Sequence, residues 1–567
     1  MSQSLAELVS DLPEIYQAIF GHPDIAQETS RACTDRLDHI AEVYDALAAQ
    51  LGRPLRVLDM GCAQGFFSLS LAARGAEVHG VDFLDKNIFV CQALAHENPA
   101  LKATFSVGRL EETVAALQPE QYDLILGLSV LHHVVHEHGV PQVQDWLRHV
   151  AQVSKAAVFE LALREEPLYW GPSQPAHYLE LLQGYGFIHE LGLFGTHLSG
   201  IARPLLVASN EYWVSGPVAE RIERWSTEPH NLANGTHQGS RRYYWAAGAF
   251  AKVIRFDGER GEVNRAEYER ELAFLSHPPS GFQAPALLSH SLGVNEGMLV
   301  MERLDGQLLL DAIQQNEPFD TVNVLTEVLQ QLAALEAAGL YHQDVRTWNL
   351  MRLDNGKTQL IDFGSIAPQA RDCVWPDDIF LAFLILVHEL SNRRVDDPSS
   401  LRAVSISPYA LDEPLRSWAV SFWNTPLAQW TFKGLLDALL QGPAHEAPST
   451  DVYPADVWAT SMEQVIQAQK LHMAYLEEGI TNGRVYQLQA EDKIRRLEEW
   501  SVLINEQLPV LYQHSEQISV LDGRLQQLEM RLQQKQDELA ALYLSSSWKL
   551  TKPLRWASRK LARLIRK

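Results

Sequence analysis

Two ligand-binding signatures, set far apart in the chain, constrain this fold more than any other feature, because each demands a domain of its own. The first is Val57-Leu58-Asp59-Met60-Gly61-Cys62-Ala63-Gln64-Gly65, an apolar strand that runs into a glycine turn and then a helix, FFSLSLAARG. The second is Tyr341-His342-Gln343-Asp344-Val345-Arg346-Thr347-Trp348-Asn349, followed after a short hairpin by Leu360-Ile361-Asp362-Phe363-Gly364. With 567 residues the chain exceeds what one core organises, and roughly three or four domains are expected.

Around the first signature, short β-rich runs (RVLDM, EVHGVD, YDLILGLS, AAVFELAL, PLLVASN) alternate with helical stretches, which predicts a parallel, Rossmann-like α/β sheet. Gly61 and Gly65 let backbone approach a ligand closely, with Ala63 between them, and the following helix presents its N-terminus. Asp82, seventeen residues beyond Gly65, closes the next strand, where a carboxylate can accept both hydroxyls of a ribose. The spelling LDMGCAQG…GVD resembles class I S-adenosylmethionine-dependent methyltransferases rather than the GxGxxG of NAD enzymes. That resemblance implies an adenine-contacting loop at Gly108, Arg109 and Leu110, with Arg109 standing where the family has Asp, and places Leu128 and Ser129 near the cofactor. His132 and His133 follow at the strand's C-terminal edge; either is a general base for a hydroxyl acceptor or a structural, helix-capping residue. An acceptor that is already anionic needs no base, only placement in line with the methyl group.

The second signature resembles the catalytic loop and DFG segment of protein-kinase-like enzymes, an α+β bilobal fold. Asp344 would accept the proton of an attacking hydroxyl, Asn349 and Asp362 would hold magnesium against the ATP triphosphate, and Arg346 would neutralise the transferring phosphate. Upstream, Lys252 matches the strand lysine that pairs with phosphates. Glu271 has the spacing of its partner, with Glu267 as the alternative, and LVMERLDG fits a hinge with Glu302 and Leu304 offering backbone groups to adenine. There is no GxGxxG; Gly235, Gly239, Arg241 and Arg242 stand where a phosphate-covering loop belongs. The brief segment between DFG and the next helix leaves little platform for a peptide, so a sugar or small-molecule hydroxyl is the expected acceptor.

Beyond residue 452 the chain reads as helical. Ile518, Leu521, Leu525, Leu528, Leu532, Leu539 and Leu542 alternate three and four apart, a coiled-coil seam, while Ile494, Leu497, Ile504 and Leu508 follow an offset frame with a stutter at Pro509. From Val485 to Leu542 the rod would span roughly 85 Å. The last 23 residues carry eight cations, no acid, and Trp548 and Trp556 among leucines, a pattern suited to an anionic membrane surface. Taking those eight charges from the formal −24 leaves −32 on the body, which disfavours nucleic acid as a partner. Four cysteines without CxxC spacing fit a reducing compartment, no secretory pattern opens the chain, and the longest apolar run, Ile379 to Val387, is too short to span a bilayer. The expected domains are 1–210, 211–452 and 453–544, with a tail at 545–567.

Across nearly the whole chain, LPEIYQAIFGHP, LGRPLRVLDMGCAQGFFSLSLAARGA, YWGPSQP, DVRTWN and LIDFGS resemble the WbdD family, bifunctional kinase/methyltransferase chain terminators of polymannose O-antigen biosynthesis. The resemblance implies phosphorylation of the 3-hydroxyl of the terminal mannose, then methylation of that phosphate. It implies that Tyr16, Gln17 and Arg36 close over S-adenosylmethionine with Phe83 and Asn87, and that His237, Arg241 and Met351 join the ATP site. It further implies a trimer through the coiled coil, a mannosyltransferase polymerase as partner, a lipid-carried glycan as substrate, and residence on the cytoplasmic face of the inner membrane. The competing expectation is an independent kinase and O-methyltransferase that tailor a small metabolite.

Overall fold

The computed structural model describes residues 4–25, 33–196, 198–233, 236–373, 377–395, 411–423, 425–442 and 455–544, with a few isolated positions besides. Helix α1 (Leu5–Ser10) starts at a reciprocal Ser4/Glu7 capping box, and α2 (Thr34–Leu51) stops at Gly52 in the left-handed conformation. The helical spacing of Leu5, Leu8, Leu12, Ile15 and Ile19 predicts helices over residues 1 to about 50; instead residues 11–25 are irregular. Pro13 and Pro23 cannot donate the backbone bond a continuing helix requires.

Strands and helices then alternate as β1 (Arg56–Met60), α3 (Phe66–Ala73), β2 (Glu77–Asp82), α4 (Asp85–Glu97), β3 (Ala103–Val107), α5 (Leu110–Ala116), β4 (Leu124–Leu128), α6 (Leu131–His138), α7 (Val140–Val153) and β5 (Ala156–Glu160). The antiparallel pair β6 (Phe187–Phe194) and β7 (Arg203–Ser209) completes a seven-stranded sheet of order β3-β2-β1-β4-β5-β7-β6. β1 to β5 are parallel, and β4 and β5 are buried on both faces because helices cover both sides. Strand order reverses between β1 and β4, which opens a crevice at their C-terminal ends.

The polar, glycine-containing texture of residues 215–240 (STEPHNLANGTHQGS) predicts a boundary there. The first part is instead structured: β8 (Tyr212–Ser215) and β9 (Val218–Arg221) form a hairpin, and β10 (Arg224–Ser226) begins the next sheet. That sheet, β10-β11-β12-β14-β13, is antiparallel, with β11 at Arg241–Trp245, β12 at Ala249–Arg255, β13 at Leu287–Leu292 and β14 at Glu296–Glu302. Helix α8 (Gly261–Ser276) lies between β12 and β13 in the chain. Trp213, fully buried, belongs to one apolar core that runs from Val57, Leu124 and Val158 through Tyr244 and Ala251 to Val300. The first domain and the five-stranded lobe are therefore fused through a common interior.

The following lobe contains β15 (Gly306–Leu308), α9 (Leu309–Gln314), α10 (Thr321–Ala337), β16 (Tyr341–His342), β17 (Leu350–Leu353), β18 (Thr358–Leu360) and β19 (Ile366–Ala367), then α11 (Ile379–Asn392), α12 (Leu415–Trp423) and α13 (Phe432–Gln441). The apolar run noted at 379–387 is the buried helix α11, started by Asp378 accepting from the N–H groups of Phe380 and Leu381. Among the described residues no helix is long and apolar enough to cross a membrane.

Helix α14 (Ala455–Leu544) runs through Pro509 as one helical element. On it Ile494, Leu497, Leu521, Leu525, Leu528, Leu532 and Leu539 are all more than half exposed. The side chains of Ile504, Leu508, Ile518 and Leu542, and nearly all of the basic tail including Trp548 and Trp556, lie outside the described residues.

Candidate active sites

At the first site the turn after β1 is folded back on β2: Gly61 and Cys62 N–H donate to Val81 O at 2.7 and 3.1 Å. Gly61 and Gly65 both have φ of +76°, and a Cβ on Gly65 would meet Cys91 Sγ at 3.0 Å. Ala63 N–H reaches Asp82 Oδ2 at 3.0 Å, Leu84 N–H reaches Oδ1 at 2.9 Å, and Asn87 Nδ2 donates to Oδ1 at 3.2 Å. Burial raises the Asp82 carboxyl above its usual range against these three donors.

Gln64, which the sequence did not single out, joins the N-terminal segment to this loop. Its Oε1 accepts from Tyr16 and Gln17 N–H at 3.1 Å each, and its Nε2 donates to Asn87 Oδ1 at 2.8 Å. Gln17 Oε1 in turn accepts from Phe66 N–H at 2.9 Å. Tyr16 and Gln17 are thereby brought to the same crevice as Gly61, Asp82 and Asn87, with Phe83 exposed beside them. Gly108 N–H donates to Asp82 O at 3.0 Å. The Arg109 guanidinium turns away onto Glu137 (3.0 Å) and Glu111, which leaves backbone as the loop's contribution to a ligand. Leu110 opens α5, and Leu128 is buried at the end of β4.

Two buried arginine–carboxylate pairs line the C-terminal end of β5 and the start of the antiparallel β7, and only Arg36 among their members was expected. Arg36 Nη1 lies 3.2 Å from Glu160 Oε2, which Ser129 Oγ also approaches. Arg203 pairs with Glu166 through two bonds of 2.7 and 2.6 Å. His132 is buried against Trp170, and His133 Nδ1 meets the Tyr169 hydroxyl at 3.0 Å.

At the second site Lys252 Nζ lies 2.7 Å from Glu271 Oε2 and 3.0 Å from Asp362 Oδ1. The alternative partner Glu267 is taken by Arg241. Burial alone would raise the Asp362 carboxyl, but Lys252 and Arg241 hold it well below the ordinary carboxylate range. Asp362 sits at φ 64°, ψ 62°, an uncommon conformation for a non-glycine residue. Phe363 stacks on Phe274 of α8 at 5.2 Å.

Asn349 Nδ2 donates to Asp344 Oδ2 at 2.7 Å and to Asp344 O at 2.9 Å, which orients its amide oxygen as the end able to ligate. Among the described residues no cluster of three His, Cys, Asp or Glu side chains forms a metal cage. One carboxylate and one amide oxygen do suit a magnesium ion that shares its shell with phosphates.

The chain between β10 and β11 reaches the catalytic loop: His230 stacks on Trp348 at 5.2 Å, and Asn231 Nδ2 donates to Gln314 Oε1 at 2.6 Å. Burial first, then Arg241 and Lys252, lowers the His237 imidazole to about 3. Gly235 lies outside the described residues. At the hinge, Glu302 N–H donates to Ala286 O at 2.8 Å and Arg303 N–H to Gly248 O at 3.1 Å; Leu304 is half-buried, and so is Met351, on β17 opposite Leu308 of β15.

Arg346 does not face the phosphate position: its guanidinium is 1% exposed and bound through two bonds, 2.9 and 2.5 Å, to the equally buried Asp372. It acts on Asp344 only from the side, Nε to Oδ1 at 3.7 Å.

The methyltransferase domain family matches residues 57–156. The chain is 37% identical to the O-antigen chain terminator bifunctional methyltransferase/kinase WbdD of Escherichia coli, over 98% of this chain and 85% of that protein. A crystal structure of monomeric WbdD shares 40% identity and superposes with a TM-score of 0.65, covering 76% of this chain and 99% of its own. A low-resolution WbdD structure with an ordered C-terminal bundle gives 0.71, covering 85% and 98%.

Proposed function

Since this chain belongs to the WbdD family of bifunctional methyltransferase/kinase O-antigen chain terminators, we propose that its two sites act in series on one glycan end: the kinase installs a phosphate and the methyltransferase alkylates it. The chain is an ATP- and S-adenosylmethionine-using transferase. The finer reading is phosphorylation of the 3-hydroxyl of the terminal non-reducing mannose of a polymannose carried on lipid.

In the first step Asp344 takes the proton of the sugar hydroxyl, whose oxygen bonds to the γ-phosphorus as the bond to ADP breaks. Asn349 holds the Asp344 carboxylate in place, and Lys252, fixed by Glu271, meets the phosphates. A magnesium ion held by Asn349 and Asp362 would neutralise triphosphate charge. In the second step a phosphate oxygen forms the O–CH₃ bond as the C–S bond breaks, and no proton has to move. S-adenosylmethionine would supply an electrophilic methyl group, and Asp82, Asn87, Gln17 and Arg36 would hold and orient it.

The observation that carries this order is that the His133 imidazole, made less basic by desolvation, bonds a phenol rather than a carboxylate that would poise it as a general base. His133 Nδ1 is engaged by Tyr169 and His132 is buried against Trp170, an arrangement suited to an acceptor that is already anionic. The exposed leucines of α14 support assembly through that helix and the basic tail supports contact with an anionic inner-membrane face; the trimer and the mannosyltransferase polymerase as partner rest on the family resemblance.

Mass spectrometry of a mannose oligosaccharide incubated with the protein, ATP and S-adenosylmethionine tests the reading. It predicts a gain of phosphate followed by methyl, and no methyl when ATP is left out. Methylation without ATP would overturn it.

A further inference from the structure

Tyr169 is 63% exposed, yet its ring is held on three sides. Trp170, itself buried, meets it edge-on at 4.7 Å, His136 meets it edge-on at 5.1 Å, and His133 Nδ1 bonds its hydroxyl at 3.0 Å. The supports are themselves fixed: His136 Nδ1 lies 2.8 Å from Ser173 Oγ, and Gln174 Nε2 donates to both His132 O and Trp170 O. An exposed aromatic side chain normally keeps its rotational freedom, because ordering it without burial gains nothing. A ring that is ordered and left open to solvent is preorganised for a ligand.

Its location says which ligand. Tyr169 follows the C-terminal end of β5, at the edge where α/β sheets bind their substrates. It lies within electrostatic reach of Tyr16, whose backbone N–H is tied by Gln64 to the glycine turn. Behind it, Arg203 is held by Glu166 with its guanidinium 5.9 Å from the Trp170 ring. Burial first, then Arg203 and His136, lowers the His133 imidazole, so it is neutral near pH 7. A hydroxyl bonded to its Nδ1 as donor leaves an Nε2–H able to donate to an anion. A flat apolar face beside a neutral donor matches a sugar ring carrying a phosphate.

We propose that Tyr169, with His133 and His136, forms the acceptor subsite of the methyltransferase and receives the terminal sugar of a glycosyl phosphate with the phosphate directed toward Tyr16 and the glycine turn. This rests on the reading that the methyl acceptor is a sugar phosphate. Tyr169 and its histidines are positioning residues: they set where the phosphate oxygen lies.

Steady-state methyl transfer by the full chain to a synthetic 3-phosphomannoside tests the subsite, with S-adenosylhomocysteine affinity and the kinase rate measured alongside. Tyr169→Ala is expected to raise KM for the phosphomannoside about tenfold or more while kcat, S-adenosylhomocysteine affinity and kinase rate change less than about threefold. Tyr169→Phe, which keeps the ring, should hold KM within a few-fold of the parent. An unchanged KM in Tyr169→Ala would overturn the subsite, as would an equal loss of S-adenosylhomocysteine affinity, which would make Tyr169 part of the cofactor cover. If the parent protein methylates only the unphosphorylated mannoside, the phosphate-first order is what fails, and the same KM comparison on that sugar still decides for or against the subsite.

Discussion

The Arg346–Asp372 pair separates two roles for one arginine. Spacing places Arg346 on the transferring phosphate, whereas the structure buries it, 1% exposed, in a two-bond pair with an Asp that is also 1% exposed. Removing one partner of a buried pair costs about 3–5 kcal/mol, while replacing both with apolar side chains of similar size is close to neutral. At about 2–4 °C per kcal/mol for a domain of this size, Arg346→Met alone should lower the thermal midpoint by about 6–20 °C. Arg346→Met/Asp372→Leu should recover most of that. In the double variant Asp344 still loses a cation 3.7 Å away. A coupling between such neighbours is worth about 0.5–3 kcal/mol, so kcat of the kinase should fall up to roughly a hundredfold. An arginine bound directly to the transferring phosphoryl group is worth about 10³–10⁵. Thermal scans by intrinsic fluorescence and single-substrate kinase assays on both variants give the answer. A double variant that is folded and stable yet slowed by more than about 10³ would refute the positioning role.

Lys252→Met should abolish phosphorylation while leaving methylation of a pre-phosphorylated mannoside within about twofold, read by radiolabel transfer. Burial pushes the Asp59 carboxyl up to about 6, partly offset by Ser68 Oγ at 2.6 Å, from an unfolded value near 3.8. The folded state therefore holds a proton that the unfolded chain has lost between those values, so this group adds stability as pH falls from about 6 to about 4 and loses it as pH rises. Asp59→Asn in ligand-free protein should flatten that slope and stabilise the protein at pH 8 by up to roughly 3 kcal/mol; a slope unchanged in chemical denaturation across this range would contradict the assignment. Leu525→Glu/Leu532→Glu, on the exposed seam of α14, should lower the mass seen by light scattering toward that of one chain without changing kinase kcat; an unchanged mass would rule the seam out as the assembly surface.

What was legible in the sequence depended on how far along the chain each interaction runs. The strand–glycine turn–helix at 57–66, Asp82 at the next strand end, and the Asp344/Asn349/Asp362 spacing are local geometry, and local geometry is written in spacing. Spacing also favours Glu271 over Glu267 as the partner of Lys252, but what Glu267 does instead was not legible, because Arg241, which pairs with it, comes from another strand. Arg36–Glu160 and Arg203–Glu166 join positions 124 and 37 residues apart, with no periodicity to mark them, and Asp372 claims Arg346 across 26 residues. Tyr16 and Gln17 entered only through family resemblance, since nothing in an irregular segment shows that its N–H groups will seek Gln64. The polar texture after Ser215 hid the fact that the preceding strand buries Trp213 in a core common to both enzymes.

The most direct test supplies the two steps to one crippled protein. Asp344→Ala protein, given S-adenosylmethionine, ATP and a mannose oligosaccharide, should transfer no methyl group, yet should methylate the same oligosaccharide at the parent rate once a 3-phosphate has been added by synthesis. A methyl group on the unphosphorylated oligosaccharide would contradict the account.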